Sequence, residues 1–121
     1  MKLQVWHCVT CRHYAVGIDG IFLCDYCCTA WRGAIKIKLS KQAARLFRLI
    51  LLKPALVTQD DIFESVYGDD PDNSPDYAYN CIRVLIHHMK SRFAEIGVEL
   101  RSRHTLGYEL IDLWKENKKA A

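Results

Sequence analysis

Two CxxC pairs dominate the chemistry open to this chain. Cys8 and Cys11 form the first, Cys24 and Cys27 the second, with twelve residues between the pairs. A CxxC turn offers two thiolates from one tight loop, and two such turns complete the tetrahedral set that zinc prefers. The spacing predicts one structural Zn2+ held by Cys8, Cys11, Cys24 and Cys27. Four thiolates leave no open coordination position, so catalysis at the metal is not expected. Cys28 follows the second pair directly. Pairing Cys24 with Cys27 keeps the two-residue gap and leaves Cys28 pointing away as a small apolar residue. His7 and His13 flank the first pair and could substitute as ligands. A place beside the site or on the surface is the simpler reading for both.

The segment between the knuckles, HYAVGIDGIFL, has strand-like residues on either side of Asp19-Gly20. Asp-Gly between such runs signals a tight hairpin. Knuckle, hairpin, knuckle describes a zinc-ribbon-like β module over residues 1–33. So short a segment cannot stabilise itself by burial, and the metal would supply the missing free energy. Its expected role is a stapled cap or a dimer surface. A nucleic-acid contact through Lys2, Arg12 and Arg32 is the alternative.

The chain has 121 residues, half of them hydrophobic, and a net charge of +3. That length allows one full core and a small appendage. The N-terminus has no apolar signal region, and no apolar run approaches a membrane span. A cytoplasmic, reducing compartment is expected, where six cysteines suit metal ligation better than disulfides. No Ser/His/Asp order, glycine-rich phosphate loop or open metal site suggests an enzyme.

Residues 34–121 carry helical periodicity. AIKIKL alternates, with Ile35, Ile37 and Leu39 on one side and Lys36 and Lys38 on the other. Ser40 can cap a helix that buries Ala43, Leu46, Phe47, Ile50 and Leu51 and stops before Pro54. Thr58 can cap a second, which buries Ile62, Phe63, Val66 and Tyr67 and ends at Gly68. An acidic loop, GDDPDNSPD, follows, and Ser74-Pro75 is a good entry to a third helix, 76–96. Ala78, Ile82, Leu85, Ile86, Met89, Phe93 and Ile96 form its core stripe. A second stripe holds Asn80, Arg83, Val84, His87, Lys90 and Ser91, with His88 and Arg92 beside it. Donors at one-turn spacing suit a helix in the DNA major groove. Then comes VELRSRHTLGYEL, a hairpin with Val98, Leu100, Tyr108 and Leu110 inside and Arg101, Arg103 and His104 outside or at the tip. The fold class is therefore α+β: a winged helix-turn-helix of three helices and a C-terminal β-hairpin wing, with the small N-terminal zinc-binding β module.

Residues 39–113 resemble the OmpR/PhoB-type winged-helix effector domain of bacterial response regulators. The likeness rests on LSKQAARLFRLILLKPALVTQDDIFESVYG, on NCIRVLIHHMKSRF, which is similar to the family's hxVHIxxLRxKL, and on RSRHTLGYEL, similar to TVRGxGYxL. It implies that the third helix is the recognition helix, with Arg83, His87, His88 and Lys90 facing DNA and Arg101 and Arg103 on the wing. It also implies that the acidic loop, with Asp69, Asp70, Asp72 and Asp76, contacts RNA polymerase. The chain departs from the family at His87 and His88, where arginines are usual, and at His104-Thr105 in the wing. It is also expected to lack a receiver domain and the family's N-terminal four-stranded sheet, whose place the cysteine module would take. Such a stand-alone variant suits a bacterial or phage setting.

Two functions follow. The first is a sequence-specific double-stranded DNA-binding transcription regulator, acting alone or as a homodimer. Phosphate contacts would come from Lys36, Lys38, Arg92 and Arg101, base contacts from Asn80, Arg83, His87 and Lys90, and wing contacts from Arg103 and His104. The second is a protein-interaction module acting on RNA polymerase or another regulator. The stretch from Asp60 to Asp76 holds seven carboxylates and no Lys or Arg, a surface suited to a basic partner.

Overall fold

The computed structural model of the protein describes residues 4–8, 10–53, 56–68, 78–103 and 107–115. The element order is β1 (Gln4–His7), β2 (Tyr14–Ile18), β3 (Ile21–Cys24), β4 (Thr29–Arg32), β5 (Ile35–Lys38), α1 (Lys41–Leu52), α2 (Gln59–Tyr67), α3 (Ala78–Glu95), β6 (Val98–Arg103) and β7 (Gly107–Asp112). Strands β1 to β5 form one antiparallel meander, and β6 and β7 a separate hairpin.

The N-terminal sheet is a correction. It was expected to be absent, and five strands are present, with the cysteine knuckles serving as two of their turns. The strands are only four or five residues long. QVWH and TAWR give too little alternation to stand out beside the cysteines. The expected Asp-Gly hairpin is there: Ile18 pairs with Ile21, and Asp19 and Gly20 both take positive φ, 53° and 84°. Positive φ at both central residues is the turn whose twist matches that of the strands. Gly33 lies in the β4–β5 turn, so the segments before and after it share one sheet.

The sheet has two unlike faces, as its period of two requires. Ile21, Leu23, Ala30 and Ile37 turn inward onto α1 and α3, where Ala43, Phe47, Met89 and Phe93 complete the core. Phe47 and Phe93 stack with centroids 5.0 Å apart. Ala15, Cys24 and Trp31 face the other way and form a second cluster with Cys8. Beyond α1, a third cluster joins Leu46, Ile50, Val57, Ile62, Val66 and Ile82, with Tyr108 and Leu110 from the hairpin.

Local signals set the helix starts. The Ser40 hydroxyl accepts from the Ala43 amide at 3.1 Å. Thr58 and Asp61 form a reciprocal capping box, each side chain accepting the other's amide at 3.1 Å. The expected α1 face is the buried one, with Ala44 added; on α2 Ile62 and Val66 are buried, and Phe63 and Tyr67 are half-buried. Ile82, Met89 and Phe93 are buried on α3, as is Ile96 just past its end, and Leu85 and Ile86 are half-buried. On β5, Ile37 is buried but Ile35 is exposed at the sheet's edge. The entry at Ser74-Pro75 lies outside the described residues.

Candidate metal centre and nucleic-acid interface

The β1–β2 and β3–β4 turns fall at the same end of the sheet, which brings the two knuckles together. One ligand atom from each of Cys8, Cys11, Cys24 and Cys27 lies within 4.8 Å of the others. Cys8 and Cys27 sulfurs are 3.6 Å apart, and those of Cys11 and Cys24 3.5 Å. A disulfide would need about 2.05 Å. A zinc–sulfur bond of about 2.3 Å implies a tetrahedral edge of about 3.8 Å, close to both values. The donor set therefore fits a soft, four-coordinate ion.

The two knuckles repeat each other. The residue after each second cysteine, Arg12 or Cys28, has positive φ, 64° and 57°. The first turn is closed by the Cys8 amide on His13 carbonyl at 2.7 Å and the Arg12 amide on Cys8 carbonyl at 2.9 Å. The Thr10 amide donates to the Cys8 sulfur at 3.4 Å. Burial raises the Cys8 thiol, but amides of Cys11 and Thr10 and the neighbouring thiols outweigh it and bring the pKa down to about 6. Burial pushes Cys24 up to about 12. The metal-free tetrad therefore holds protons that a cation must displace.

Cys28 stays out of the cluster: its sulfur points at the Asp25 carbonyl, 3.8 Å away. The histidines are not among the clustered ligands either. His13 stacks on Tyr26 across the two knuckles at 3.6 Å, and His7 lies 3.4 Å from the Arg12 carbonyl. Arg32, considered for nucleic acid, is committed elsewhere. Its guanidinium grips Asp112 of β7 at 3.0 and 2.8 Å, donates to the Ile96 carbonyl at 3.2 Å and lies 4.1 Å over the Trp114 ring.

The second candidate site is the outer face of α3. Asn80, Arg83, His87, His88, Lys90 and Arg92 are all exposed. Arg83, His87 and Lys90 line one groove of about 170 Å³ between α3 and β6, with Ile86, Phe93 and Leu100 beneath them and Glu99 opposite. Arg92 lies nine residues on from Arg83, about two and a half turns, and so takes the opposite flank. The face also carries Val84, 52% exposed, one turn on from Asn80.

On the hairpin, Arg101 donates to Glu99 at 2.6 and 3.1 Å, and Arg103 to Glu109 at 3.1 Å. The sequence reading had missed these glutamates as partners. Their signal was the i, i+2 spacing of Glu99 and Arg101 on a strand. Lys36 and Lys38 do not join this surface. Lys36 pairs in register with Trp31, on the sheet face turned from the helices, and Lys38 donates to the Cys27 carbonyl at 2.7 Å. His104, Asp69, Asp70, Asp72 and Asp76 lie outside the described residues.

The fold has a solved counterpart. The C-terminal domain of the nisin resistance regulator NsrR, a lantibiotic response regulator, is similar over 76% of this chain and 92% of its own, with a TM-score of 0.62 and 17% identity. The likeness is one of fold. No protein-family model matches the chain, and no curated protein matches it. Among the described residues, no helix is long and apolar enough to cross a membrane.

Proposed function

We propose that this chain is a sequence-specific double-stranded DNA-binding transcription regulator, built around one structural Zn2+. One observation carries the reading. Asn80, Arg83, His87 and Lys90 are exposed along an 18-residue helix whose other side is core, and no carboxylate follows on the helix until Glu95. Such a helix fits the major groove, where asparagine and arginine read base edges. The hairpin beside it would lie along the backbone or in the minor groove. Arg101 and Arg103 would then exchange their glutamate partners for phosphates, and His104 would extend the contact at the tip. His88 and Arg92, on the far flank, would meet the other phosphate strand. The zinc, on Cys8, Cys11, Cys24 and Cys27, holds the sheet against α1 and takes no part in contact chemistry. Support for the regulator reading comes also from the response-regulator neighbour.

The test is selection from random-sequence duplexes with zinc-loaded protein at two salt concentrations. An enriched motif whose retention falls steeply with salt is expected, because binding releases counterions. Arg83→Ala should cost about 1–3 kcal/mol on the selected site and less on random DNA. Equal losses on both would end the base-reading role. Failure to enrich any motif would favour the second reading, a partner docked on Asp69, Asp70, Asp72 and Asp76, which charge reversal there would abolish.

A further inference from the structure

Strand β1 is an outer strand of the sheet, and all four of its residues are exposed. Its side chains are not those of a guarded edge. Val5 and Trp6 are 62% and 60% exposed, and Tyr14 on the neighbouring strand 72%. Edge strands normally carry lysine, proline or a bulge that blocks further pairing. QVWH has none, and it carries no carboxylate.

The hydrogen-bond pattern fixes which main-chain groups are free to pair. The Cys8 amide donates inward to His13, and the register with β2 is unbroken from Gln4↔Gly17 to His7↔Tyr14. Alternate residues of a strand point their amides and carbonyls to opposite sides. Gln4, Trp6 and Cys8 therefore face β2, and Val5 and His7 face the open edge.

We propose that β1 pairs antiparallel with β1 of a second copy about a two-fold axis, making a continuous ten-stranded sheet. Three registers keep each sheet face continuous and pair the open-edge groups of the described residues. Pairing Val5 with itself, or His7 with itself, engages only one hydrogen-bonded pair among the described residues. Pairing Val5 with His7 of the second copy engages two such pairs, hence four main-chain hydrogen bonds. It also sets the two Trp6 residues directly opposite in a non-hydrogen-bonded pair, the arrangement that brings side chains closest. Trp6 already leans on Phe22, with centroids 6.2 Å apart, so the indole pair would extend the aromatic row of the outer face. No acidic or lysine side chain on β1 opposes this contact. The pairing involves neither α3 nor the hairpin and stands independently of the DNA reading.

Sedimentation equilibrium of the full, zinc-loaded chain without DNA tests it. A concentration-dependent monomer–dimer equilibrium is expected. Val5→Pro removes an amide that faces the open edge, where proline is tolerated. It should raise the dimer Kd at least tenfold with zinc content unchanged. Trp6→Lys, at an exposed position, should do the same and keeps the test valid if Val5→Pro folds poorly. Far-ultraviolet circular dichroism should show the exciton couplet of paired indoles, lost in Trp6→Phe. A wild type that stays monomeric at all concentrations, or a Trp6→Lys variant that dimerises as well as wild type, would overturn the proposal.

Discussion

Arg32 joins the N-terminal sheet to the C-terminal elements through one nearly buried group, and its removal should be felt in the whole fold. The pair with Asp112 is bidentate, and the two side chains are 11% and 16% exposed. Removing one partner of such a pair costs about 3–5 kcal/mol, because the other charge stays behind without its counterpart. Arg32→Ala belongs at the lower end: Asp112 keeps the amides of Trp114 and Lys115 at 3.1 and 3.2 Å. For 121 residues, an unfolding entropy of about 2.1 cal/mol/K per residue makes 1 kcal/mol equal to about 4 °C in Tm. The expected loss is therefore about 12 °C. Burial raises the Asp112 carboxyl, but Arg32 and the two amides outweigh it and hold it below its usual value. A carboxyl depressed in the folded state stabilises above its unfolded pKa, about 3.9, and loses that contribution as pH falls through the folded pKa. The gap between wild type and Arg32→Ala should thus be full at pH 7 and shrink below about pH 4. Differential scanning calorimetry of both proteins across that range measures it. The double variant Arg32→Met, Asp112→Leu should recover most of the loss, short of about 1 kcal/mol for the vanished amide acceptor. A Tm loss under about 4 °C, or a gap that does not change between pH 7 and pH 3, would refute the reasoning.

Further outcomes follow from the knuckles and the hairpin. Cys27→Ser should lower zinc retention under a competing chelator, while Cys28→Ser should leave one zinc per chain by mass spectrometry. Gly107→Ala should destabilise by more than about 1 kcal/mol in thermal denaturation, because φ is 142° and an added Cβ would run into the Val57 carbonyl.

The cysteine cluster was legible because four ligands at fixed spacing report one geometry wherever the strands run. The helices were legible for a similar reason: Phe47, Ile62 and Phe93 belong to stripes long enough for the 3.6-residue period to show, and Ser40 and Thr58 mark the starts. The sheet was not. Its faces are four residues deep, and its outer face is lined by Cys24 and Trp31, residues that metal and aromatic readings claim first. Long-range pairing left no local trace either. Nothing near Arg32 in the sequence announces Asp112, eighty residues on. The Gly107-Tyr108 word was read as a likeness, and its cause lies in the fold: Tyr108 exchanges two main-chain hydrogen bonds with Val57, at 2.7 and 2.8 Å, which leaves no room for a side chain at 107.

These contacts bear on how a metal at one end of a sheet could matter to a helix on its far side. The second knuckle is tied to the start of α1: the Leu39 amide donates to the Cys28 carbonyl at 2.8 Å, one residue before the Ser40 cap. Arg48 on α1 reaches Asp25 of the same knuckle at 3.6 Å, an exposed pair that adds little by itself. At the opposite end of the sheet, Arg32 holds the Ile96 carbonyl just past α3. Between these two anchors the inner face covers Phe47 and Phe93 with Ile21, Leu23 and Ala30. Loss of a metal held by the knuckles would loosen the α1 anchor, and losing Arg32 the α3 anchor. The helix that presents Arg83, His87 and Lys90 is thus positioned by a sheet that four clustered cysteines close at one end, more than twenty residues before α1's last turn.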